Sequence, residues 1–369
     1  MAEASRLPAQ KFPFPIQSSS LTIRLRVPRK IHALLATARI ANVPSVISNV
    51  CVGVMLAIHV TPHGHLISED LRLSFPYQNM LAVIVSACLL YVAGNFLNDW
   101  HDKDWDRQHR PERALPVGHF TRLHFFLIAL CMWLVGGILA YYVNLSTLAT
   151  YLGISLCVIA YTRWHKKHSL SIWIMGACRA GLYLLGFLAI CYLLKPTMLT
   201  YLRISPILLA LTFSMIGLLS YIAGLSLYAR RESLSADARP SGVFPCLLLS
   251  LPLLTHSCVW IALASSGQGS FSIWMLLPMI PFAWWLAVTL SRGFSLSQKV
   301  SRLLAGMPLA DFILLGMALV HFHYFSNRRW GISHAEVILP NSPLMIALVV
   351  TPLIAFLLAL LLQKIAPAT

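Results

Sequence analysis

Five of the twelve acidic residues, Asp99, Asp102, Asp104, Asp106 and Glu112, fall within 14 consecutive positions. On a helix turning about 100° per residue, Asn95, Asp99, Asp102 and Asp106 lie within about 60° of one another, and Asp104 points to the opposite side. Three carboxylates and an amide on one face repel each other unless cations neutralise them. Hard oxygen ligands at this spacing suit Mg²⁺, which keeps several waters and completes its octahedron with phosphate oxygens. The run that follows, RPERALPVG, adds Arg110 and Arg113, and with them His109, as donors for phosphate oxygens. Pro111, Pro116 and Gly118 turn the chain back over the helix end. Acidic face, basic turn and reversal together describe a magnesium diphosphate pocket. The plain alternative is a solvated acidic helix end paired with Arg107, Arg110 and Arg113; the one-sided placement of the acids favours the pocket.

Other polar groups stand in apolar surroundings. Arg179 lies about ten residues into a hydrophobic run, where a charge costs roughly 2.5–3.5 kcal/mol unless it faces a polar cavity, so it is expected to face inward. It reads either as a substrate contact or as a partner of helix carbonyls. Asp311 is similar, and a structural hydrogen bond is the expected role. The pairs His63/His65 and His321/His323 read as interfacial histidines rather than metal ligands, and Tyr141, Tyr142, Trp284 and Trp285 as aromatic belts.

The elements that must position these groups are membrane helices. Of 369 residues, 58% are hydrophobic and only 11% charged, with mean hydropathy +0.72, which rules out a soluble enzyme. Apolar runs long enough to cross a bilayer lie near 33–60, 79–100, 122–143, 145–162, 169–194, 204–229, 243–264, 271–291, 304–324 and 343–363. The net charge of +16 is spread between these runs and does not form a nucleic-acid face. A cytoplasmic N-terminus places 21 of the 28 Lys and Arg on the cytoplasmic side and 5 opposite. Residues 1–30 read as a polar, Pro-rich cytoplasmic tail without a cleavable signal, so the first span is expected to act as its own insertion signal. Residues 31–369 read as one all-α transmembrane domain of nine or ten spans. The eight cysteines all fall in apolar runs and read as small core residues.

The run NFLNDWHDKDWDRQHRPERALPVG resembles the first aspartate-rich motif of the UbiA-type intramembrane prenyltransferases, with Asn95, Asn98, Asp99, Asp102 and Asp106 at matching positions. ARIANVPSVISNVCVG, with Arg39, Asn42 and Asn49, and YTRWHKK, with Tyr161 and Lys166, extend the resemblance. It implies a helical bundle around a cavity open to the cytoplasm. There Asp99, Asp102 and Asp106 would hold Mg²⁺ against a polyprenyl diphosphate, with Lys166, Arg110 and Arg113 completing the charge balance. Tyr161 and Tyr221 would stabilise the allylic cation or orient the diphosphate, whose prenyl group passes to an unidentified hydrophobic or aromatic small-molecule acceptor. The family's second aspartate-rich motif is missing: SYIAGLSLYARRESLSAD offers only Glu232 and Asp237, and Arg230 and Arg231 are expected to clamp diphosphate in its place. That run and MGACRAGLYLLG resemble the EboC-like branch of the family, associated with bacterial secondary-metabolite clusters, which implies a bacterial inner membrane. Ala114, where the family commonly has proline, is a further departure. The missing motif keeps a second function open, a non-catalytic lipid or metabolite carrier or scaffold. A CDP-alcohol phosphotransferase is set aside because its DG-x-x-AR signature is not found.

Overall fold

The computed structural model describes residues 28–59, 76–191, 206–234, 242–263, 273–291, 293–326 and 343–366. All regular structure among them is helical. The helices are α1 (Arg29–Thr37), α2 (Val43–His59), α3 (Tyr77–His109), α4 (Arg122–Val143), α5 (Leu145–Trp164), α6 (Ser171–Cys191), α7 (Pro206–Leu234), α8 (Val243–Leu263), α9 (Met279–Leu290), α10 (Leu296–Ser326) and α11 (Pro343–Leu362). Among the described residues, ten segments are long and apolar enough to span a membrane, matching the ten apolar runs read from the sequence.

Two of them are not the continuous helices expected. The first is broken at Arg39, the one non-glycine residue of positive φ among those described, at φ 48 and ψ 50. A left-handed residue costs about 1–2 kcal/mol. It is held by a 3₁₀ turn over Ile40–Asn42 and by Asn95 of α3, whose Nδ2 donates to the Ala38 carbonyl at 3.1 Å. The eighth starts as a 3₁₀ turn over Ile273–Leu276, and α9 begins only after Pro278.

In a bilayer the hydrophobic effect does not drive helices together, so packing and polar bonds decide which ones lie inside. The apolar window of α2 is 83% buried and that of α10 78%, against 22% for α4 and 28% for α5. Thus α2, α6, α7 and α10 form the centre. Helices α2 and α6 meet backbone to backbone through reciprocal glycines. A Cβ on Gly53 would lie 2.1 Å from the Tyr183 carbonyl oxygen, and one on Gly186 2.2 Å from that of Val50. All eight cysteines are free. Cys51 and Cys191 are buried as expected, but Cys131 is exposed on α4. Tyr141 and Tyr142 are exposed at the end of α4, Trp284 is exposed midway along α9 and so does not sit in a belt at a span end, and Trp285 is buried and donates to the Arg302 carbonyl at 2.9 Å as a packing residue.

Adding a methyl at the α2–α6 contact should force the helices apart. Gly53→Ala and Gly186→Ala are each expected to cost about 1–3 kcal/mol, read as a lower unfolding midpoint in detergent. Gly153→Ala, with nothing within 4 Å of the added carbon, should leave the midpoint unchanged.

Candidate active site

The acidic face forms as its spacing requires: Asn95, Asp99, Asp102 and Asp106 are buried on α3, and Asp104 is exposed. What keeps three carboxylates together at this depth is a set of cations from two other segments. After α3 the chain reverses: Gly118 takes φ 83, and Ala114 and Leu115 bury against Phe96, Phe125 and Ala129. That anchor brings Arg113 back over the helix, where its Nη1 donates to Asp99 Oδ1 and Asp106 Oδ2, both at 3.0 Å. From the end of α5 and the turn after it, Lys166 Nζ lies 2.8 Å from Asp102 Oδ1 and His165 Nε2 3.2 Å from Asp102 Oδ2. Lys166 also sits over the Trp105 ring, 4.1 Å from its centroid.

These groups stand at the mouth of a cavity of about 600 Å³. Asn95, Asn98, Asp102, Asp106, Arg110, Arg113, Tyr161, Lys166, Arg179 and Arg230 all line it, as does Arg39, aimed inward by its left-handed backbone. Asp99 joins the group through Arg113 and is not on the wall. Tyr161 stacks on His165, ring centroids 5.1 Å apart. Deeper in, around Arg179, the walls turn mostly apolar, with Leu90, Ile154, Val158, Leu182, Ile222 and Met307.

Two expected contacts are used elsewhere. Tyr221 is fully buried off the cavity and donates to the Leu303 carbonyl at 2.7 Å, because its helix turns that face to α10. Arg230 reaches the cavity wall, but its guanidinium donates to the carbonyls of His165, His168 and Ser169 and to Ser171 Oγ. It ties down the loop that carries Lys166. The side chains of Arg231, Glu232, His321 and His323, and residues His63, His65 and Asp237, lie outside the described residues.

The sequence reading assigned no role to His165, Trp105, Tyr91 or the polar cluster behind Arg179. The Asp311 carboxylate accepts from Tyr183 and Ser48 hydroxyls at 2.5 Å and from Asn49 Nδ2 at 2.9 and 3.1 Å. This is the structural bonding expected of Asp311. His165 is adjacent to Lys166 in the YTRWHKK run, a signal that could have found it. Asn49 was noted, but its link to Asp311, 262 positions away, has no local signature.

Among the described residues no three His, Cys, Asp or Glu side chains close on one point. Mg²⁺ does not need such a cage, since it commonly binds through one or two carboxylates plus water and phosphate. Asp106 Oδ1, buried without a hydrogen-bond partner, fits such a hard cation.

The fold and the cavity define an integral, multi-pass membrane protein with a charge-balanced acidic pocket at one end. Residues 49–309 match the UbiA prenyltransferase family, and the chain belongs to that family. No curated protein sequence matches it. The solved structure of a digeranylgeranylglyceryl phosphate synthase in membranes is similar at TM-score 0.52 and 18% identity, covering 79% of this chain and 98% of that one. The apo structure of a UbiA homolog from Aeropyrum pernix K1 gives TM-score 0.53 and 14% identity, over 73% of this chain and 97% of that one. A UbiA homolog from Archaeoglobus fulgidus bound to DMAPP and Mg²⁺ gives TM-score 0.42 and 12% identity, over 88% and 98%.

Removing Arg113 leaves two buried carboxylates without their shared cation. Arg113→Ala should therefore destabilise the protein by about 3 kcal/mol, measured by thermal unfolding. Adding Asp106→Asn to that variant should restore part of the loss, because the uncompensated charge is gone.

Proposed function

We propose that this chain is a Mg²⁺-dependent prenyltransferase that moves a prenyl group from a polyprenyl diphosphate to a hydrophobic or aromatic small molecule. The observation that carries this is the pairing of the α3 acidic face with Arg113, His165 and Lys166 at the mouth of a cavity whose depth is apolar. A diphosphate needs positive charge and a prenyl tail needs hydrocarbon, and this cavity offers both in that order. The positive-inside count supports a cytoplasmic N-terminus and a mouth on the cytoplasmic side; a bacterial inner membrane rests on the resemblance to the EboC-like branch alone.

Asp102 and Asp106, with Asp99 behind them, are the residues that would hold Mg²⁺. When bound, that ion supplies charge neutralisation of the diphosphate leaving group. Lys166, Arg110 and Arg113 add donors to phosphate oxygens as negative charge grows on the departing diphosphate. Tyr161 and Tyr91 both line the cavity; the Arg179 guanidinium lies over the Tyr91 ring, which leaves Tyr161 as the ring suited to a developing allylic cation. The apolar walls exclude water from that cation and bind the tail at about 0.8 kcal/mol per buried CH₂. Arg230 acts at one remove, by holding the Lys166 loop. The resemblance to the EboC-like branch rests on the α6 and α7 sequence runs, and the family match does not reach to it.

Incubating the purified protein with geranyl diphosphate and Mg²⁺ should release diphosphate once an acceptor is supplied. Asp102→Asn and Asp106→Asn are expected to lower that rate on the order of 100-fold, and Asp104→Asn, exposed on the far side of α3, should leave it unchanged. Binding of the diphosphate without release under any acceptor would overturn the enzyme reading in favour of a carrier.

A further inference from the structure

The last turn of α9 is met by two cations from the start of α10. Lys299 is 7% exposed, and its Nζ donates to the Leu290 carbonyl at 3.2 Å. Arg302 Nε donates to Thr289 Oγ1, also at 3.2 Å. The Arg302 guanidinium lies over the rings of Trp285 and Phe294, 4.0 and 4.4 Å from their centroids, which fixes its fork. Both charges suit the negative end of the α9 dipole, but that use occupies one donor of each side chain. The remaining ammonium and guanidinium donors have no hydrogen-bond partner among the described residues. The ion pairs among those residues all fall on Asp99, Asp102 or Asp106, so neither cation has a counter-charge there.

Neither residue lines the central cavity. The α10 residues that do, Val300, Leu304 and Met307, stand about 140° round the helix from them. What adjoins the cations instead is an apolar groove of about 290 Å³ between α8 and α9. Leu290, whose carbonyl takes Lys299, is one of its walls, with Ala287 on α9 and Val243, Leu247 and Leu253 on α8. Val243 and Leu247 are exposed, so the groove opens towards lipid. From Val243 to Leu253 it runs about 15 Å along α8, half the ~30 Å hydrocarbon thickness of a bilayer. α9 is the eighth span and α3 the second, so the cations stand at the same membrane face as the acidic mouth. Basic pockets between helices at a membrane face take anionic headgroups, and a fixed guanidinium grips phosphate oxygens in pairs.

We infer that Lys299, Arg302 and the α8–α9 groove form a binding site for an anionic phospholipid, separate from the central cavity. Its phosphate is held by the two cations, and one acyl chain lies in the groove.

Native mass spectrometry of the full-length protein in detergent, titrated with phosphatidylglycerol or with phosphatidylcholine of the same chains, reads this site. The wild type should bind phosphatidylglycerol at least about tenfold more tightly, the scale of two cations acting on one anionic headgroup. Replacing both cations, Lys299→Gln with Arg302→Gln, should bring the preference below about threefold. Glutamine keeps an amide donor for Leu290 and Thr289; should the double variant not fold, each single variant should lower the preference about threefold. Arg107→Gln, which removes an exposed cation of α3 at the same membrane face, should leave it unchanged. Ala287→Phe fills the groove without touching the charges and should weaken phosphatidylglycerol at least about fivefold. Equal binding of the two lipids by the wild type overturns the inference, as does an undiminished preference in the cation variants or a loss as large in Arg107→Gln. Full-strength binding in Ala287→Phe, or displacement of the lipid by inorganic phosphate, overturns it by leaving a bare anion site without a chain. Displacement by geranyl diphosphate overturns it by making the two cations part of the prenyl donor's path.

Discussion

The structure depends on keeping three carboxylates of one helix face together at the edge of a bilayer. Alone they would repel each other and demand water. Here Arg113 bridges Asp99 and Asp106, and Lys166 with His165 closes on Asp102. Those side chains come from the reversal after α3 and the α5–α6 junction, so three chain segments are drawn to one point. The cavity mouth is the result of that neutralisation, and its charged lining follows from it.

The same rule operates deeper in the membrane with different chemistry. There the acid, Asp311, is saturated by Ser48, Asn49 and Tyr183 and shielded from the cavity. Asn49 joins it to Arg179, so α2, α6 and α10 are tied by polar bonds where lipid provides no hydrophobic force between helices. The close glycine contact of α2 with α6 supports this arrangement, since a wider spacing would pull Asn49 away from Arg179. At the mouth the acids face the cavity and cations cover them; at the deep end the cation faces it and the acid is hidden.

Arg230 illustrates how position changes the meaning of a residue. In sequence it stands where the family's second acidic motif would be, and a cation there reads as a direct clamp. In the fold its donors are taken by three carbonyls of the loop that carries Lys166. Its contribution to the mouth is mechanical: it adds side-chain donors to a short connection whose lysine faces Asp102.

The sequence by itself determined the membrane class, the ten apolar segments and the acidic face, because each is a local property. Hydropathy over about 20 residues and a 100° step need no knowledge of neighbours. Asn95, Asp99, Asp102 and Asp106 therefore appear on one side of α3, with Asp104 opposite, as their spacing requires. Only the tertiary structure decided the break at Arg39, the removal of Tyr221 from the cavity, the use of Arg230 on a loop and the bridge from Arg179 to Asp311. Each depends on a partner from another segment of the chain: Asn95 for the Arg39 turn, Leu303 for Tyr221, His165 and His168 for Arg230, Asn49 for Arg179. Side-chain spacing along one strand of sequence cannot name those partners, since the geometry that selects them exists only once the helices have packed.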